Sequence, residues 1–396
     1  MRSLRDVELK GKRVLMRVDF NVPRDENGDI IDDTKMKAAF PSIEYVLSND
    51  ASLILMSHLG RPKGKVDARY SLKRIADHLG NLVNAPVKMA DDCIGPGVER
   101  AAQELKPGEI LVLENVRFHP EEEKNDKGFS RKLAGLGDLF VNDAFGSSHR
   151  AHSSTAGVAE FLPVYAGFLM EKEVKMLKQV LEYPQSPRVA ILGGAKVSDK
   201  IKLIDNLLEK MDFLLLGGGI ANTFLKAQDN NIGKSIFEED FLAEARRLME
   251  KADKKNVQIL LPVDVIVTEE IASGARGMLV KSDKVPDNMM IVDIGPDTVE
   301  NFKQVISNAQ TIVWNGPLGV TEYKQFSAGT EQTAIAVARS SATSVIGGGE
   351  SVAAIHKIGI EKQITHISTG GGATLEFLEG RDLPGVTVCG AVLQRS

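Results

Sequence analysis

Residues 193–200 read GGAKVSDK and lie near the middle of a chain of 396 residues. They follow an apolar run at residues 189–192, which is typical of a buried strand, and precede apolar residues with helical spacing over residues 201–211. Glycines let backbone N–H groups approach an anion, and a helix N-terminus adds unpaired N–H groups and a partial positive charge. Two lysines add full charges. A Gly-Gly pair is more often only a turn, so this stretch alone leaves both a turn and a phosphate site open.

Predicted strands alternate with helical patterns along nearly the whole chain. Strand-like segments, most of them apolar, cover residues 13–18, 53–56, 110–113, 139–141, 189–192, 213–216, 311–313, 344–346 and 366–368. This alternation indicates α/β domains with mainly parallel sheets. Because 396 residues exceed one ordinary core, we expect two domains. A helical pattern over about residues 170–181, broken by YPQSP at residues 183–187, predicts the boundary, with the helix as connector.

Arginine recurs at one topological position in the first half of the chain. Four arginines lie at or shortly after the carboxyl end of a predicted strand: Arg17, Arg61, Arg117 and Arg150. Ligands of open α/β sheets bind at that edge, and the guanidinium fork grips carboxylate or phosphate at two points. A single arginine is usually a solvated surface charge. Four of them predict a basic basin that binds a small, multiply charged anion.

Glycine takes the same position in the second half. Five predicted strands end in glycine-rich segments, at residues 193–194, 217–219, 316–319, 347–349 and 370–372. Any one of these segments is explained by a tight turn or by close packing of a helix. Five on one edge favour a ligand that needs backbone contact along its length, and a nucleotide with its phosphates fits best. An acidic metabolite facing a nucleotide indicates phosphoryl transfer.

Composition narrows the class of protein. Hydrophobic content of 43% and charged content of 26% are typical of a soluble globular protein. The net charge of −5 offers no general attraction to nucleic acid or to an anionic membrane. No apolar run nears the ~20 residues that span a bilayer, and two cysteines, Cys93 and Cys389, fit a reducing cytosol. We therefore expect a cytoplasmic protein without nucleic-acid or membrane partners.

Motifs for other chemistry are absent or incomplete. No Gly-x-Gly-x-x-Gly is followed by an acidic residue about twenty positions on, which argues against a dinucleotide-binding oxidoreductase. GKS at residues 233–235 resembles the end of a phosphate-binding P-loop, but Gln228 stands where the earlier glycine is required. His149 and His152 are three residues apart, and without a supporting Cys or carboxylate cluster a structural role is favoured over metal binding.

Seven segments closely resemble those of phosphoglycerate kinases, in the same order from end to end. They are RVDFNVP at residues 17–23, SHLGRP at 57–62, ENVRF at 114–118, NDAFGSSHRAHSS at 142–154, GGAKVSDK at 193–200, WNGPLGV at 314–320 and STGGGAT at 368–374. The resemblance implies two Rossmann-like three-layer α/β/α domains with mainly parallel sheets, joined by a helical hinge. The phosphoglycerate-binding domain would cover residues 1–168 with about 380–396, the connecting helix 169–182, and the nucleotide-binding domain 183–379.

The family resemblance also implies the reaction. A monomeric enzyme of glycolysis would move a phosphoryl group reversibly between 1,3-bisphosphoglycerate and ADP, giving 3-phosphoglycerate and ATP, with Mg²⁺ and by domain closure. The attacking group in the reverse direction is a carboxylate, which is already ionised and needs no strong base. Catalysis then depends on in-line positioning and on charge stabilisation by Arg, Lys, Mg²⁺ and helix N-termini.

The same resemblance assigns residues to roles. Phosphoglycerate would be bound by Asp19, Asn21, Lys35, His58, Leu59, Gly60, Arg61, Arg117 and Arg150. Nucleotide would be bound by Lys196, Lys200, Gly217, Gly218, Asn315, Pro317, Glu322 at the ribose, Gly348, Gly349, Glu350 and Ser351. The catalytic group would be Lys35, Lys196, Gly371 and Gly372, and Glu350 would bind the metal.

Three positions depart from the family pattern. Lys35 stands where an arginine is expected to touch the transferring group, so the charge is kept but the two-point fork is lost. Glu350 replaces an aspartate, which keeps the carboxylate for Mg²⁺ one methylene further out. Ile291 replaces a glycine common near the nucleotide. We expect a slow to moderate enzyme, and the alternatives are a relative that binds both ligands with little turnover and an NAD-dependent oxidoreductase.

Overall fold

The computed structural model describes residues 1–393, and the chain divides into two compact units. Unit 1 contains residues Met1–Lys175 together with residues 382–393, and unit 2 contains residues Met176–Arg381. The domain limits expected from the sequence remain a prediction, and residues 394–396 of the first expected domain lie outside the described residues.

Residues 1–393 form fifteen strands and fifteen α-helices. The strands are β1 (Arg13–Arg17), β2 (Ser52–Met56), β3 (Val87–Met89), β4 (Ile110–Val112), β5 (Leu139–Asn142), β6 (Val164–Ala166), β7 (Arg188–Leu192), β8 (Phe213–Leu216), β9 (Gln258–Leu260), β10 (Asp264–Thr268), β11 (Met278–Lys281), β12 (Met290–Ile294), β13 (Thr311–Asn315), β14 (Thr343–Gly347) and β15 (His366–Ile367). The helices are α1 (Thr34–Ala38), α2 (Phe40–Ser48), α3 (Lys73–Leu82), α4 (Pro96–Gln103), α5 (Pro120–Glu123), α6 (Lys127–Ala134), α7 (Phe168–Glu182), α8 (Ile201–Leu207), α9 (Gly218–Ala227), α10 (Leu242–Lys255), α11 (Pro296–Asn308), α12 (Ala328–Arg339), α13 (Gly349–Ile358), α14 (Gly372–Leu378) and α15 (Pro384–Thr387). Short 3₁₀ turns cover Leu4–Asp6, Ala68–Tyr70, Val116–Phe118, Phe145–Ser147, Gly157–Glu160, Glu239–Phe241, Lys324–Phe326 and Glu361–Gln363.

Unit 1 is built on a six-stranded sheet with the order β3-β4-β2-β1-β5-β6, and all of its ladders are parallel. In its centre Leu15 lies opposite Ile54 on one side and Phe140 on the other. Every residue of β2 and β5 is buried, which is why these strands read as continuous apolar runs rather than as alternating ones.

Unit 2 is built on a second six-stranded parallel sheet, with the order β15-β14-β13-β7-β8-β9. Ala190 lies opposite Val313 and Leu214, and Trp314 is fully buried in the core beside it. A separate antiparallel sheet, β11-β10-β12, has its own small core around Val265 and Val267. The predicted fold class, α/β with mainly parallel sheets, is confirmed, but the sequence analysis missed the antiparallel sheet.

One predicted helix differs in extent from the observed one. The pattern over residues 201–211 gives a helix that ends at Leu207, where Leu208 forms the C-cap. Helices α1 and α2 meet at Ala39, which caps both, and α2 has Pro41 in its first turn. Proline lacks an N–H and has the φ angle of a helix start, so it favours a new helix at this point.

Both parallel sheets have a point where the chain reverses direction across the sheet. In unit 1 the chain moves one way from β1 to β2 and later returns to the other side of β1 as β5, and in unit 2 the same holds for β7, β8 and β13. The crevice outside the carboxyl ends of strands at such a switch point is the usual ligand site of open α/β sheets. Among the described residues, no helix is both long and apolar enough to cross a membrane.

Candidate functional site

The four arginine-bearing strands of unit 1 are neighbours in its sheet. Their order is β4-β2-β1-β5, and because they are parallel their carboxyl ends share one edge. The arginines differ in exposure: Arg17 is 1% exposed, Arg117 is half-buried, and Arg61 and Arg150 are exposed. We call this edge the arginine basin, defined by Arg61, Arg117 and Arg150 above the buried Arg17.

Asp19 and Lys35 form an ion pair beside the arginine basin. Lys35 Nζ lies 3.2 Å from Asp19 Oδ2, and the backbone N–H of Asn21 donates to Asp19 Oδ1 at 3.2 Å. Burial would raise the pKa of Asp19, but the charges of Lys35 and Arg17 bring it below its ordinary value. Asp19 is therefore ionised at neutral pH and holds Lys35 in place.

The loop after β2 is held on both sides of Gly60. The Gly60 N–H donates to Asn21 Oδ1 at 2.9 Å, and Arg117 Nη1 donates to the Gly60 carbonyl at 3.0 Å. Asn115 Nδ2 donates to the Leu59 carbonyl at 2.8 Å. Gly60 has a φ angle of +60°, and a Cβ there would overlap the ring of Tyr70, so only glycine fits. The family segments SHLGRP and ENVRF are thus held together by hydrogen bonds between them.

Cations of the arginine basin repel one another. Burial lowers the pKa of Arg117, Glu123 opposes this, and the positive charge of Arg150 lowers it again. Burial lowers the pKa of His152 to about 4, and Arg117, Arg17 and Arg150 add to the effect. A bound anion would relieve this repulsion, so the basin suits a carboxylate or phosphate ligand.

The five glycine-rich segments of unit 2 follow five neighbouring strands, in the order β15-β14-β13-β7-β8. They therefore lie along one edge, which we call the glycine rim. A Cβ on Gly193 would overlap the Pro317 carbonyl, and a Cβ on Gly219 would overlap the Ala195 carbonyl. Close packing of backbone on backbone accounts for these glycines.

The two lysines of the opening stretch differ in position. Lys200 is buried, and its Nζ donates to the carbonyls of Gly193 at 2.6 Å and Asn315 at 2.9 Å, which joins β7 to β13 at the switch point. Burial lowers the pKa of Lys200 to about 8, against the raising effect of Glu350 and Asp199. Lys196 is exposed. Lys200 is thus engaged by backbone carbonyls, whereas Lys196 is accessible to a ligand.

A cavity of roughly 370 Å³ opens beside the glycine rim. It brings together Gly194, Gly218, Pro317, Glu322 and Glu350 from segments far apart in sequence. Its apolar wall is supplied by Val265, Met290, Ile291, Ile294 and Leu318. Its size and apolar lining suit a nucleoside, with charged groups at the margin.

Not every predicted nucleotide residue lines this cavity. The predicted nucleotide residues outside its wall are Lys196, Lys200, Gly217, Asn315, Gly348, Gly349 and Ser351, and Gly371 and Gly372, predicted as catalytic, also lie outside it. Several support it: Gly217 is the N-cap of α9, and Ser351 Oγ accepts from the Gly316 N–H at 2.7 Å. Gly371 and Gly372 lie at the start of α14, on the outermost glycine segment of the rim.

Sequence reasoning missed several residues of these sites. Asp293 lines the cavity and is 2% exposed, and it accepts from the N–H groups of Gly329 at 2.8 Å and Ile294 at 2.9 Å. Burial raises its pKa to about 7. Lys234, within the rejected GKS segment, also lines the cavity, although no strand-to-helix junction surrounds it. Since β12 was not predicted, no pattern marked Asp293 as part of a site.

These features define a two-unit α/β protein with an anion basin in one unit and a nucleoside-sized cavity in the other. The family model described as phosphoglycerate kinase matches residues 4–381. The chain belongs to the phosphoglycerate kinase family.

Curated relatives and solved structures agree with this membership. The chain is 55% identical to a phosphoglycerate kinase of Moorella thermoacetica over 97% of this chain and 98% of the relative. It is 52% identical to a cytosolic phosphoglycerate kinase of Nicotiana tabacum over 97% and 96%. The structure of phosphoglycerate kinase from Coxiella burnetii superposes with a TM-score of 0.89 at 43% identity, covering 98% of both chains. The resemblance read from the seven sequence segments is confirmed.

Proposed function

We propose that the protein is a phosphotransferase with a carboxyl group as acceptor. It interconverts 1,3-bisphosphoglycerate and ADP with 3-phosphoglycerate and ATP, as a step of glycolysis. One structural observation supports this most strongly. All seven segments that resemble the family begin at or just after the carboxyl end of a strand in one of the two parallel sheets. The family residues therefore lie where such sheets bind ligands.

Phosphoglycerate is the proposed ligand of the arginine basin. Arg61 and Arg150 are exposed there, and the half-buried Arg117 supplies a third guanidinium. Arg117 Nε is buried without a hydrogen-bond partner, and the nearest carboxylate oxygen of Glu123 lies 3.4 Å from it. An unsatisfied buried donor is costly, so a ligand oxygen at this point would stabilise the site.

The cavity beside the glycine rim is the proposed site of ATP and ADP. The base would lie against the apolar wall that includes Ile291, and the ribose would lie near Glu322. Phosphates would follow the rim toward Lys196 and the N-termini of α13 and α14. Lys200 would act indirectly, because it holds the Gly193 and Asn315 carbonyls together.

Mg²⁺ enters with the nucleotide as part of the substrate. Mg²⁺ prefers oxygen ligands and is usually held by one or two carboxylates and the substrate phosphates. Glu350 is exposed on the cavity wall, so its carboxylate fits this role. We expect Glu350→Ala to raise the Mg²⁺ concentration needed for half-maximal activity, and full activity at unchanged Mg²⁺ would contradict the assignment.

Charge stabilisation rather than a base carries the reaction. The acceptor carboxylate is ionised at neutral pH, so the groups needed are cations and N–H donors at the transferring phosphoryl group. Lys35, Lys196 and the N–H groups at Gly371 and Gly372 are the proposed set. Each unit carries one ligand site, so we infer that the units close to bring the ligands together and exclude water. We further propose a cytoplasmic monomer.

The test is a spectrophotometric assay with 3-phosphoglycerate and MgATP, coupled to NADH oxidation. We expect turnover that depends on both substrates. Arg150→Gln should raise KM for 3-phosphoglycerate and leave KM for MgATP unchanged, whereas Arg131→Gln, an exposed arginine on α6, should change neither. Binding of both ligands without turnover would show a non-catalytic relative and would overturn the proposal.

A further inference from the structure

A chain of buried polar residues runs beneath the arginine basin and ends at His58. It consists of Glu122, Ser154, Arg17 and His58, whose exposed fractions are 0%, 0%, 1% and 5%. A buried carboxylate and a buried guanidinium are costly unless both are paired and hydrogen-bonded. The hydrogen bonds of this chain satisfy both charges, and Arg17 donates in both directions, to Ser154 on one side and to His58 on the other.

The first link joins Glu122 to Ser154. Glu122 Oε2 accepts from the Ser154 backbone N–H at 2.9 Å, and Oε1 accepts from the Ser154 hydroxyl at 2.5 Å. Since the single hydroxyl proton is committed to Glu122, Ser154 Oγ can only accept from other groups. Arg17 Nε donates to it at 2.8 Å. One serine thus connects the carboxylate to the guanidinium and sets the plane of the guanidinium.

The second link joins Arg17 to His58. Arg17 Nη1 donates to the Val18 carbonyl, and Arg17 Nη2 lies 3.0 Å from His58 Nδ1. Arginine has no acceptor, so His58 Nδ1 must be the acceptor and carry no proton. The proton of a neutral His58 is then on Nε2. Burial and the adjacent positive charge of Arg17 both lower the pKa of His58 well below its ordinary value, which agrees with a neutral ring.

We infer that Arg17, oriented by Ser154 and Glu122, is a positioning residue that holds His58 as a neutral imidazole with its proton on Nε2. The role of this proton rests on the proposed function, because the phosphoglycerate in the arginine basin is the group that would accept a hydrogen bond from it. A neutral donor directs a substrate oxygen without adding a further charge to a basin that already holds Arg61, Arg117 and Arg150. The buried arginine therefore acts through His58 rather than by touching the ligand.

The first experiment reads the tautomer directly in the wild-type protein without ligands. The protein is labelled with ¹⁵N-histidine, and the signals of His58, one of 7 histidines, are assigned by their loss in His58→Gln. We expect an unprotonated Nδ1 and a protonated Nε2 at neutral pH. A protonated Nδ1, or an imidazolium, would overturn the inference. This result does not depend on turnover, so it is distinct from a failure of the proposed function.

The second experiment breaks the chain at Ser154. Ser154→Ala should release the His58 ring into a mixture of tautomers and lower kcat/KM for 3-phosphoglycerate by ~10-fold, the loss of one charge-assisted hydrogen bond, with KM for MgATP unchanged. Ser153→Ala is the matched control, because Ser153 is equally buried but donates to the Glu121 and Asp126 carbonyls. Unchanged tautomer and kinetics in Ser154→Ala would contradict the inference.

A second variant keeps the test decisive if Ser154→Ala does not fold. Arg17→Lys keeps the positive charge but cannot make the Nε and Nη2 hydrogen bonds together. We expect the same mixture of His58 tautomers in this variant. A single Nε2-protonated tautomer in Arg17→Lys would show that the ring is fixed by other contacts and would overturn the role of Arg17.

Discussion

The arginine basin of unit 1 and the glycine rim of unit 2 lie at equivalent edges of two similar sheets, but they are built by different means. The basin depends on charged side chains supported from below by the buried Glu122, Ser154 and Arg17. The rim depends on backbone packed on backbone, at Gly193 against Pro317 for example, with one buried lysine joining the strands. A compact polyanion calls for directed charges, whereas a nucleotide calls for a long surface of N–H groups and an apolar wall.

The largest expected effect comes from a substitution that removes the buried support of the arginine basin. Glu122→Ala removes the carboxylate that compensates the buried Arg17, and an uncompensated buried charge costs about 3–5 kcal/mol of folding free energy. Glu123→Ala, at the next position with a side chain 51% exposed, should change stability by less than about 0.5 kcal/mol. Urea unfolding of both variants measures the difference. Equal, small losses would show that Arg17 does not need Glu122.

A pH experiment contrasts a buried base in unit 1 with a buried acid in unit 2. The folded pKa of His152 is lowered to about 4, so its contribution to stability is present above its ordinary value of 6.5 and lost as the pH falls toward 4. The folded pKa of Asp293 is raised to about 7, so its contribution is present below 3.8 and lost as the pH rises toward 7. Relative to wild type, His152→Gln should gain roughly 2–3 kcal/mol in free energy of unfolding as the pH falls from 6.5 to 4.5. Asp293→Asn should gain free energy of unfolding relative to wild type as the pH rises, which is the opposite slope.

The chain contains separate reporters for the two units. Its single tryptophan, Trp314, is buried in unit 2, and both cysteines, Cys93 and Cys389, are buried in unit 1. Tryptophan fluorescence and thiol accessibility during unfolding at each pH therefore follow the units individually. The same pH slope for both variants would contradict the assignment of opposite buried groups.

A smaller effect on stability is expected from adding a side chain to a tightly packed glycine of the glycine rim. Gly193→Ala places a Cβ against the Pro317 carbonyl, and such overpacking costs ~1–3 kcal/mol. Gly349→Ala is the control, because a Cβ there meets nothing within 4 Å and alanine favours the first turn of α13. Thermal unfolding followed by Trp314 fluorescence distinguishes them. If Gly193→Ala is as stable as the control, close backbone packing does not define the rim.

The smallest effect concerns the side chain where the basin departs from the family. Lys35→Arg restores a two-point fork in place of a single ammonium, and we expect kcat to rise by a few fold, up to ~10-fold. Lys37→Arg, on the same helix but paired with Asp33, should leave kcat unchanged. A neutral or slower Lys35→Arg enzyme would show that the site has adapted to lysine, which Asp19 already holds.

Much of this contrast was predictable from the sequence, because apolar runs identify buried parallel strands and the residues after them lie at one edge. The nine strands that precede the arginine and glycine segments were found in this way: β1, β2, β4, β5, β7, β8, β13, β14 and β15. The antiparallel sheet was missed although each of its strands carries three consecutive apolar residues, and β11 is mostly exposed. The residues Met290, Val292, Asp293 and Ile294 of the cavity wall were therefore missed, whereas Ile291 was placed near the nucleotide by the family resemblance.

The sequence also could not predict in which direction a charged side chain points. The run of three glutamates at residues 121–123 is typical of a solvated helix face, yet Glu122 is fully buried. Arg17 and Lys200 likewise point to internal partners rather than to a ligand. The periodicity of apolar residues predicts which strands are buried. Which charged side chains are buried depends on hydrogen bonds between segments that are distant in sequence.

The most direct test of the central claim is a crystal structure with 3-phosphoglycerate and MgADP bound. We predict the phosphate of 3-phosphoglycerate on Arg61, Arg117 and Arg150, with Arg17 beneath it and out of contact. The adenine is expected against Ile291, with the phosphates along the glycine rim. Phosphoglycerate bound in unit 2, nucleotide bound in unit 1, or direct contact between Arg17 and the ligand would contradict this account.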